Sequence, residues 1–421
     1  MDERVVVTCF LRHDGAVLLL RRSEDVGSYQ GKWGGVAGHA EGDPAGAARQ
    51  EIREETGLAD DDVTLSRRGD SFTVEDADRG TRWVVHPFLF DVVTRDIEPN
   101  WETADYEWVA PTIILHRETV PDLWTSYDRV RPTVDTVAGD RDHGAAYISV
   151  RALEVLRDEA AVAAMATGDG TDGWERTVNV ARALLRARPS MSVVRNRVNR
   201  AMYAASGVSS ARAVEHVAST AIAHAVTADR RAAERAAERI DGGRVATLSR
   251  SGTVLTALTR GAPEAVLVGE SRPGREGVDV AETVAAETDV TLTSDAAFAH
   301  ALAEWTADTL LVGADTILAD GRVVNKAGTR SAAIAGSFEG ITVDVVAAAD
   351  KLSPDGTVDL EPREAAELYD GDADLSVHNP TFDVTPPDCI DAIVTERGVL
   401  DAAAVREIAA QHREHATWES D

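Results

Sequence analysis

Glu51, Glu54 and Glu55 stand at spacings i, i+3 and i+4 in the stretch Glu51-Ile52-Arg53-Glu54-Glu55-Thr56-Gly57-Leu58. On a helix these carboxylates share one face. Gly57 ends that helix at little cost, because glycine tolerates the left-handed conformation of a helix terminus. Upstream, Gly31-Lys32-Trp33-Gly34-Gly35-Val36-Ala37-Gly38 is too rich in glycine for a helix or strand and reads as a loop. A glycine loop followed by a carboxylate-bearing helix suits a hard divalent cation, Mg²⁺ or Mn²⁺, which takes oxygen ligands and brings substrate phosphates with it. Three glutamates on a helix are more often a solvated face, but here the glycine loop before them and Thr-Gly-Leu after them argue for a site.

A second group of polar residues falls where predicted strands end. Ser249-Arg250-Ser251-Gly252-Thr253 opens a helix, so its backbone N–H groups would cradle a phosphate that Arg250 pairs. Three further loops are Glu270-Ser271-Arg272-Pro273-Gly274, Gly313-Ala314-Asp315-Thr316-Ile317, and Asp320 to Thr329 with Asn325 and Lys326 in a turn. Lys351 follows the last strand of the series. Lysine occurs only at Lys32, Lys326 and Lys351, while arginine is abundant. A lysine kept in a phosphate-type loop therefore points to a need for a compact ammonium. Asp315 is also a common turn or capping residue. His39, His86, His300 and His378 show no ligand spacing.

The N-terminal motif resembles the Nudix hydrolase box, G-x5-E-x7-R-E-U-x-E-E-x-G-U with U apolar. Its second half matches at Glu51, Ile52, Glu54, Glu55, Gly57 and Leu58, and its first half at Gly35, Glu41 and Arg49. The halves are one residue out of step because Gln50 lies between Arg49 and Glu51. The resemblance implies hydrolysis of a nucleoside diphosphate-linked compound. Glu51, Glu54 and Glu55 would hold the metal, Gly38 would border the substrate, and Glu102 would serve as an extra ligand or base. The strand-end loops, with Arg188-Pro189-Ser190-Met191-Ser192, Phe382 to Pro387 and Ile393 to Glu396, resemble the initiation factor 2B α/β/δ-like family. That family includes ribose-1,5-bisphosphate and methylthioribose-1-phosphate isomerases. There a cysteine and an aspartate move the proton. Here Asp315 matches the aspartate, and Asn325, Lys326 and Lys351 match substrate-side residues. Arg188, Arg250, Gly252 and Arg272 would border a phosphate. The cysteine position falls on Ser249, a far poorer acid than a thiol. His143 stands where the isomerases carry an arginine. The resemblance thus favours sugar-phosphate binding over isomerisation, and assembly into a homo-oligomer through the C-terminal part.

The elements that position these residues form an α/β chain. Residues 1–130 read as a Nudix α/β/α sandwich, with a Val5–Thr8 and Ala16–Arg21 hairpin, a helix at Ala45–Thr56, a strand at Trp83–Val93 and a closing strand at Glu102–Val109. Residues 131–143 read as a linker. Residues 144–240 are a helical part, interrupted by a Gly168–Gly173 loop. In 241–421, strands at Val245–Leu248, Ala265–Gly269, Val290–Thr293, Thr309–Val312 and Ile341–Ala348 alternate with helices at Val254–Thr259, Val280–Glu287 and Ala296–Glu304. This predicts a Rossmann-like parallel sheet, with ligands at the carboxyl ends of its strands. No G-x-G-x-x-G occurs.

The 421 residues carry a net charge of −29. Residues 1–130 hold 14 basic and 26 acidic side chains and the remainder 29 and 46, so both parts are acidic. That argues against direct nucleic-acid binding, which needs a basic surface. The acidic, lysine-poor composition resembles that of proteins working in molar salt. An arginine-favouring codon bias would also deplete lysine. Met1-Asp2-Glu3-Arg4 leads straight into a strand and no apolar run reaches membrane length, so the expectation is a protein without a leader or membrane span. Cys9 and Cys389 are too few for a disulfide framework, which points to a reducing cytoplasm. Three functions compete: a metal-dependent hydrolase fused to a phosphosugar- or nucleotide-binding domain, a non-catalytic regulatory or translation-related protein, and a sugar-phosphate isomerase.

Overall fold

The computed structural model describes residues 2–167, 170–356 and 358–419. Two compact units divide the chain. The first is Met1–Thr133 with Arg157–Met165, and the second is Val134–Leu156 with Ala166–Asp421.

The first unit contains β1 (Asp2–His13), β2 (Ala16–Arg22), β3 (Trp33–Gly34), β4 (Val36–His39), α1 (Pro44–Thr56), β5 (Val63–Arg68), β6 (Phe72–Asp76), β7 (Thr81–Val92), β8 (Thr103–Val109) and α2 (Leu123–Asp128). All eight strands join one sheet, in which β1 lies parallel to β7 and antiparallel to β2 and β4. Strand alternation sends Cys9, Leu11, Leu18 and Phe88 to the face covered by α1 through Ala48 and Ile52. It sends Phe10, Val17, Leu19 and Leu89 to the other face, against Leu123 and Tyr127. The helical segment Arg157–Met165 fastens to that unit. Arg157 Nη1 donates to Gly15 O at 2.7 Å, Tyr127 Oη to Asp158 Oδ2 at 3.1 Å, and Arg131 Nη2 to Glu159 Oε1 at 2.7 Å.

The glycine-rich run at Gly31–Gly38 is not wholly a loop, since it supplies β3 and β4. β4 pairs with β1, with Gly38 opposite Val7. Close approach explains the glycines: a Cβ on Gly35 would lie 2.7 Å from the Cys9 carbonyl oxygen.

The second unit begins with α3 (Val134–Gly139), a helix inside the expected linker, with Asp135 in its favourable first turn. Next come α4 (Ala145–Thr167), of which Arg157–Met165 belongs to the first unit, α5 (Thr171–Ala187), α6 (Ser192–Ser206) and α7 (Ala211–Ile240). Of the expected Gly168–Gly173 loop, residues 168 and 169 lie outside the described residues, and α5 already starts at Thr171. Beyond them run β9 (Arg244–Leu248), α8 (Gly252–Arg260), β10 (Ala265–Gly269), α9 (Glu276–Val284), β11 (Asp289–Thr293), α10 (Asp295–Glu304), β12 (Thr309–Val312), β13 (Thr316–Leu318), β14 (Val323–Lys326), α11 (Thr329–Glu339), β15 (Thr342–Val346), β16 (Leu352–Ser353), β17 (Phe382–Thr385), β18 (Ala392–Thr395), β19 (Gly398–Leu400) and α12 (Ala402–His415).

The sheet order is β11-β10-β9-β12-β15-β18-β19, parallel except for the last pair. α7, α8 and α9 cover one face through Ala236, Leu258 and Val280, and α10, α11 and α12 cover the other through Leu302, Ala333 and Ile408. The near-continuous apolar strands follow from burial on both faces. A smaller sheet, β16-β13-β14-β17, packs Leu318, Val324 and Phe382 together.

Two expectations shift. α9 starts at Glu276 rather than Val280, with Gly277 pressed on the end of β10, where a Cβ would meet Gly269 O at 1.9 Å. Asn325-Lys326 ends a strand rather than forming a turn. The turn lies earlier, where Gly321 has φ +88 and Leu318 N–H donates to Arg322 O at 2.8 Å.

Candidate functional sites in the two units

Asp43 caps α1 by accepting from the N–H groups of Ala45 and Gly46, both at 3.0 Å, and Pro44 opens it. Gly57 closes it at φ +73, donating to Arg53 O at 3.0 Å. With Ile52 inward, the three glutamates grade across the helix. Glu55 is buried, Glu51 half-buried and Glu54 exposed. Ala37 N–H donates to Glu55 Oε1 at 3.3 Å. Burial pushes the Glu55 carboxyl up to about 8. The Ala37 N–H opposes the shift, Glu51 and Glu102 add to it, and Arg22 opposes it. The Glu51 carboxyl is raised by burial and then by Glu54 and Glu102.

Gly38 faces the same carboxylate: a Cβ there would lie 1.8 Å from Glu51 Oε1. Glu102 is set just before β8, where its carbonyl accepts from Ser23 N–H at 2.7 Å and its N–H donates to Asn100 Oδ1 at 2.9 Å. Glu54 turns outward and accepts from Gln50 Nε2 at 2.7 Å. Glu41 is exposed, and Arg49 donates to Val63 O at 3.4 Å. Among the described residues no three His, Cys, Asp or Glu side chains are already drawn together as a cation cage. Glu102 raises the carboxyls of both Glu51 and Glu55, and a hard cation beside them would favour the charged forms again. Arg22 and Asn100, neither singled out from the sequence, shape this site.

In the second unit the order reverses between β9 and β12, so the crevice beyond their carboxyl ends is the place for a ligand. Ser249, at φ +61, donates its N–H to Ser271 Oγ at 2.7 Å. Ser251 Oγ caps α8, whose first residue is Gly252, and Gly313 is pressed on it, where a Cβ would lie 2.8 Å away. Asp315 follows β12 and donates its N–H to Val324 O at 2.9 Å. Burial raises its carboxyl. Lys351 opposes this, Glu361 adds to it, and Lys326 and Arg188 oppose it, so all four charges act on Asp315. Lys351 is buried and donates Nζ to Ala314 O at 2.5 Å. Its ammonium is lowered by burial, against Asp315 and Asp229.

Thus Lys351 reaches the residue next to Asp315, and Lys326 and Arg188 lie within electrostatic reach of it. Three other residues expected near the ligand have partners of their own. Arg250 is exposed, 3.7 Å from Asp279; Arg272 donates Nε to Glu270 Oε2 at 3.1 Å; and Asn325 Nδ2 donates to Thr329 Oγ1 at 3.0 Å. Glu276 and Glu361, both absent from the sequence reading, contact Lys326 and Arg188. The loop that carries Glu361 has no strand or helix periodicity to flag it.

The family model described as the initiation factor 2 subunit family matches residues 141–402, and that of the NUDIX domain matches residues 2–130. A ribose 1,5-bisphosphate isomerase of Haloterrigena turkmenica is 34% identical over 63% of this chain and 88% of its own length. Another of that name from Haloferax volcanii is 34% identical over 64% and 90%. Among solved structures, a Pyrococcus horikoshii translation initiation factor eIF-2B aligns with a TM-score of 0.55 and 26% identity, over 63% of this chain and 94% of the other.

Proposed function

We propose, for a chain that belongs to the initiation factor 2 subunit family and carries a NUDIX domain in residues 2–130, that the first unit hydrolyses a nucleoside diphosphate-linked compound while the second binds a phosphosugar or nucleotide. The observation that carries the first half is Glu51 set against Gly38 and buried Glu55 held by the neighbouring Ala37 N–H, with Glu102 close enough to raise both carboxyls. Mg²⁺ or Mn²⁺ would be held by Glu51, Glu54 and Glu55, polarising the pyrophosphate and activating a water. The chain's own part is positional. Ala37 N–H fixes Glu55, Gly38 leaves room beside Glu51, and Glu102 supplies a further carboxylate as ligand or base.

The test is product analysis at molar KCl with Mg²⁺. Nucleoside diphosphate compounds, ADP-ribose first, are offered to wild type and Glu55→Gln. Metal-dependent release of a nucleotide and a second phosphate by wild type alone is expected, with a loss of at least about a hundredfold in the variant. No product from wild type, with ligand still raising its melting temperature, would replace hydrolysis by the regulatory reading. The Gln50–Glu54 hydrogen bond favours that second reading, because it occupies an oxygen of an expected metal ligand.

For the second unit, the four charges around Asp315 support phosphosugar binding. A hydrolase acting on a nucleoside diphosphate sugar releases a sugar phosphate, so the first unit would supply the ligand class of the second. Asp315 beside Lys351 also favours an isomerase reading, for which Ser249 lacks the acidity of a thiol. Conversion of ribose 1,5-bisphosphate that survived Asp315→Asn unchanged would remove that mechanism. We expect a homo-oligomer formed through the second unit, which sedimentation would measure. A reducing cytoplasm fits two free cysteines, and no helix among the described residues is long and apolar enough to cross a membrane.

A further inference from the structure

Lys326 and Arg188, with Lys351, are cations an anionic ligand beside Asp315 would meet, and Lys326 and Arg188 each already have a carboxylate of the chain within ion-pair distance. Lys326 is 7% exposed and its Nζ donates to Glu276 Oε1. Arg188 is 5% exposed, with Nη2 3.9 Å from Glu361 Oε1, the same oxygen that accepts from Ser190 Oγ. Each pair keeps an unused buried atom, Glu276 Oε2 in one and Arg188 Nε in the other. A carboxylate and a phosphoryl group present the same kind of acceptor oxygens to these cations.

One segment reaches both places. Glu361 sits at φ +44, where a side-chain-bearing residue is strained, and Thr381 N–H donates to its carbonyl at 2.9 Å. Two residues on, Arg363 pairs with Glu367 at 2.6 and 2.8 Å and is anchored by its N–H to Asn379 O at 2.8 Å. Arg363 feels the charge of Glu276, and Glu367 that of Lys326. The stretch from 361 to 367 therefore brings Glu361 to Arg188 and sets Glu367 within electrostatic reach of Lys326.

We infer that Glu276 and Glu361 occupy the two seats of a ligand with two phosphoryl groups and set its selectivity, each being displaced by one phosphoryl group. This rests on the phosphosugar reading of the second unit. A ligand with one phosphoryl group empties one seat, and a ligand with two must empty both. Each occupied seat lowers apparent affinity by the fraction of time it stands free.

Calorimetric titration of the full chain with ribose 5-phosphate and ribose 1,5-bisphosphate tests this, using wild type, Glu276→Gln, Glu361→Gln and Lys326→Ala. The bisphosphate is expected to bind about tenfold tighter to both glutamine variants. The monophosphate should gain in only one of them, and Lys326→Ala should lose binding. Binding that Lys326→Ala abolishes but neither glutamine variant tightens would overturn the inference and leave the phosphosugar reading standing. No binding by any variant would end both. Hydrogen exchange on wild type gives a check free of substitutions. The Arg363 and Thr381 amides should change protection with the bisphosphate, and unchanged protection at saturation would equally overturn the inference.

Discussion

An added methyl group meets different neighbours at Gly35 and Gly38. At Gly38 it would overlap the end of the Glu51 side chain, which can swing away; at Gly35 it would press on the Cys9 backbone carbonyl, which cannot. Gly38→Ala should therefore fold with a melting temperature within about 3 °C of wild type. On the proposed hydrolase function, product release with Mg²⁺ should still fall by at least about tenfold, because a displaced Glu51 would no longer meet a cation in place. Gly35→Ala should instead lose about 2 kcal/mol of stability. Thermal unfolding with product assays separates the two, and equal effects at both positions would contradict the assignment of Gly38 to the site. The glutamate spacing and the Gly57 terminus were plain from the residues, because helix geometry alone relates them. That Glu54 turns outward to Gln50 while Glu55 goes under depends on which side of α1 the sheet covers.

At the scale of elements, α6 is tied to the segment after β15 by charge. Arg197 Nε lies 3.0 Å from Asp350 Oδ2, Arg200 Nη2 also 3.0 Å from it, and Asn196 Nδ2 donates to Asp350 O at 2.8 Å. This anchors the stretch carrying Lys351. Burial alone would push the Asp350 carboxyl up, but the guanidiniums of Arg200 and Arg197 outweigh it and hold it well below the usual carboxylate range. A carboxyl lowered on folding contributes stability above its unfolded pKa of about 3.9 and loses it as pH falls further. Asp350→Asn should destabilise the chain by about 3 kcal/mol at pH 7, since buried Arg197 is left with Asp229 alone and half-buried Arg200 loses its carboxylate. The gap to wild type should shrink steadily below about pH 4. A gap that stayed constant down to pH 2 in thermal melts would refute the ion-pair account.

Across the whole chain, compact units and sequence order part company. The first unit includes Arg157–Met165, which lies beyond the expected linker and supplies partners to Gly15, Tyr127 and Arg131. A fragment ending at Thr133 should consequently melt at least about 5 °C below one ending at Thr167. Equal melting temperatures would show that the segment adds nothing. Charge acts at the same scale. With −29 spread over both parts, self-repulsion opposes compactness, and 2 M KCl cuts the Debye length to about 3 Å or less. The melting temperature should rise by about 10 °C or more between 0.1 and 2 M KCl, and a flat or falling curve would argue for codon bias as the cause of the composition.

The residues by themselves determined what local periodicity and turn chemistry can encode. α1 was readable from its carboxylate spacing and glycine end, and the parallel sheet from apolar runs alternating with helices, because the strands inside its edges are buried on both faces. They also carried the strand-end positions of Asp315 and Lys351. Tertiary structure alone decided which of these meet. Strands β13, β14, β16 and β17 are two to four residues long, too short to show a period, so the small sheet that carries Lys326 was invisible. The turn expected at Asn325-Lys326 moved to Gly321 because a ladder with β17 claims those two residues. Lys326 meets Glu276 across 50 residues of chain, and the Ser190 beside Arg188 meets Glu361 across 171. No local pattern records such pairings, since they depend on where the completed sheet places the ends of distant strands.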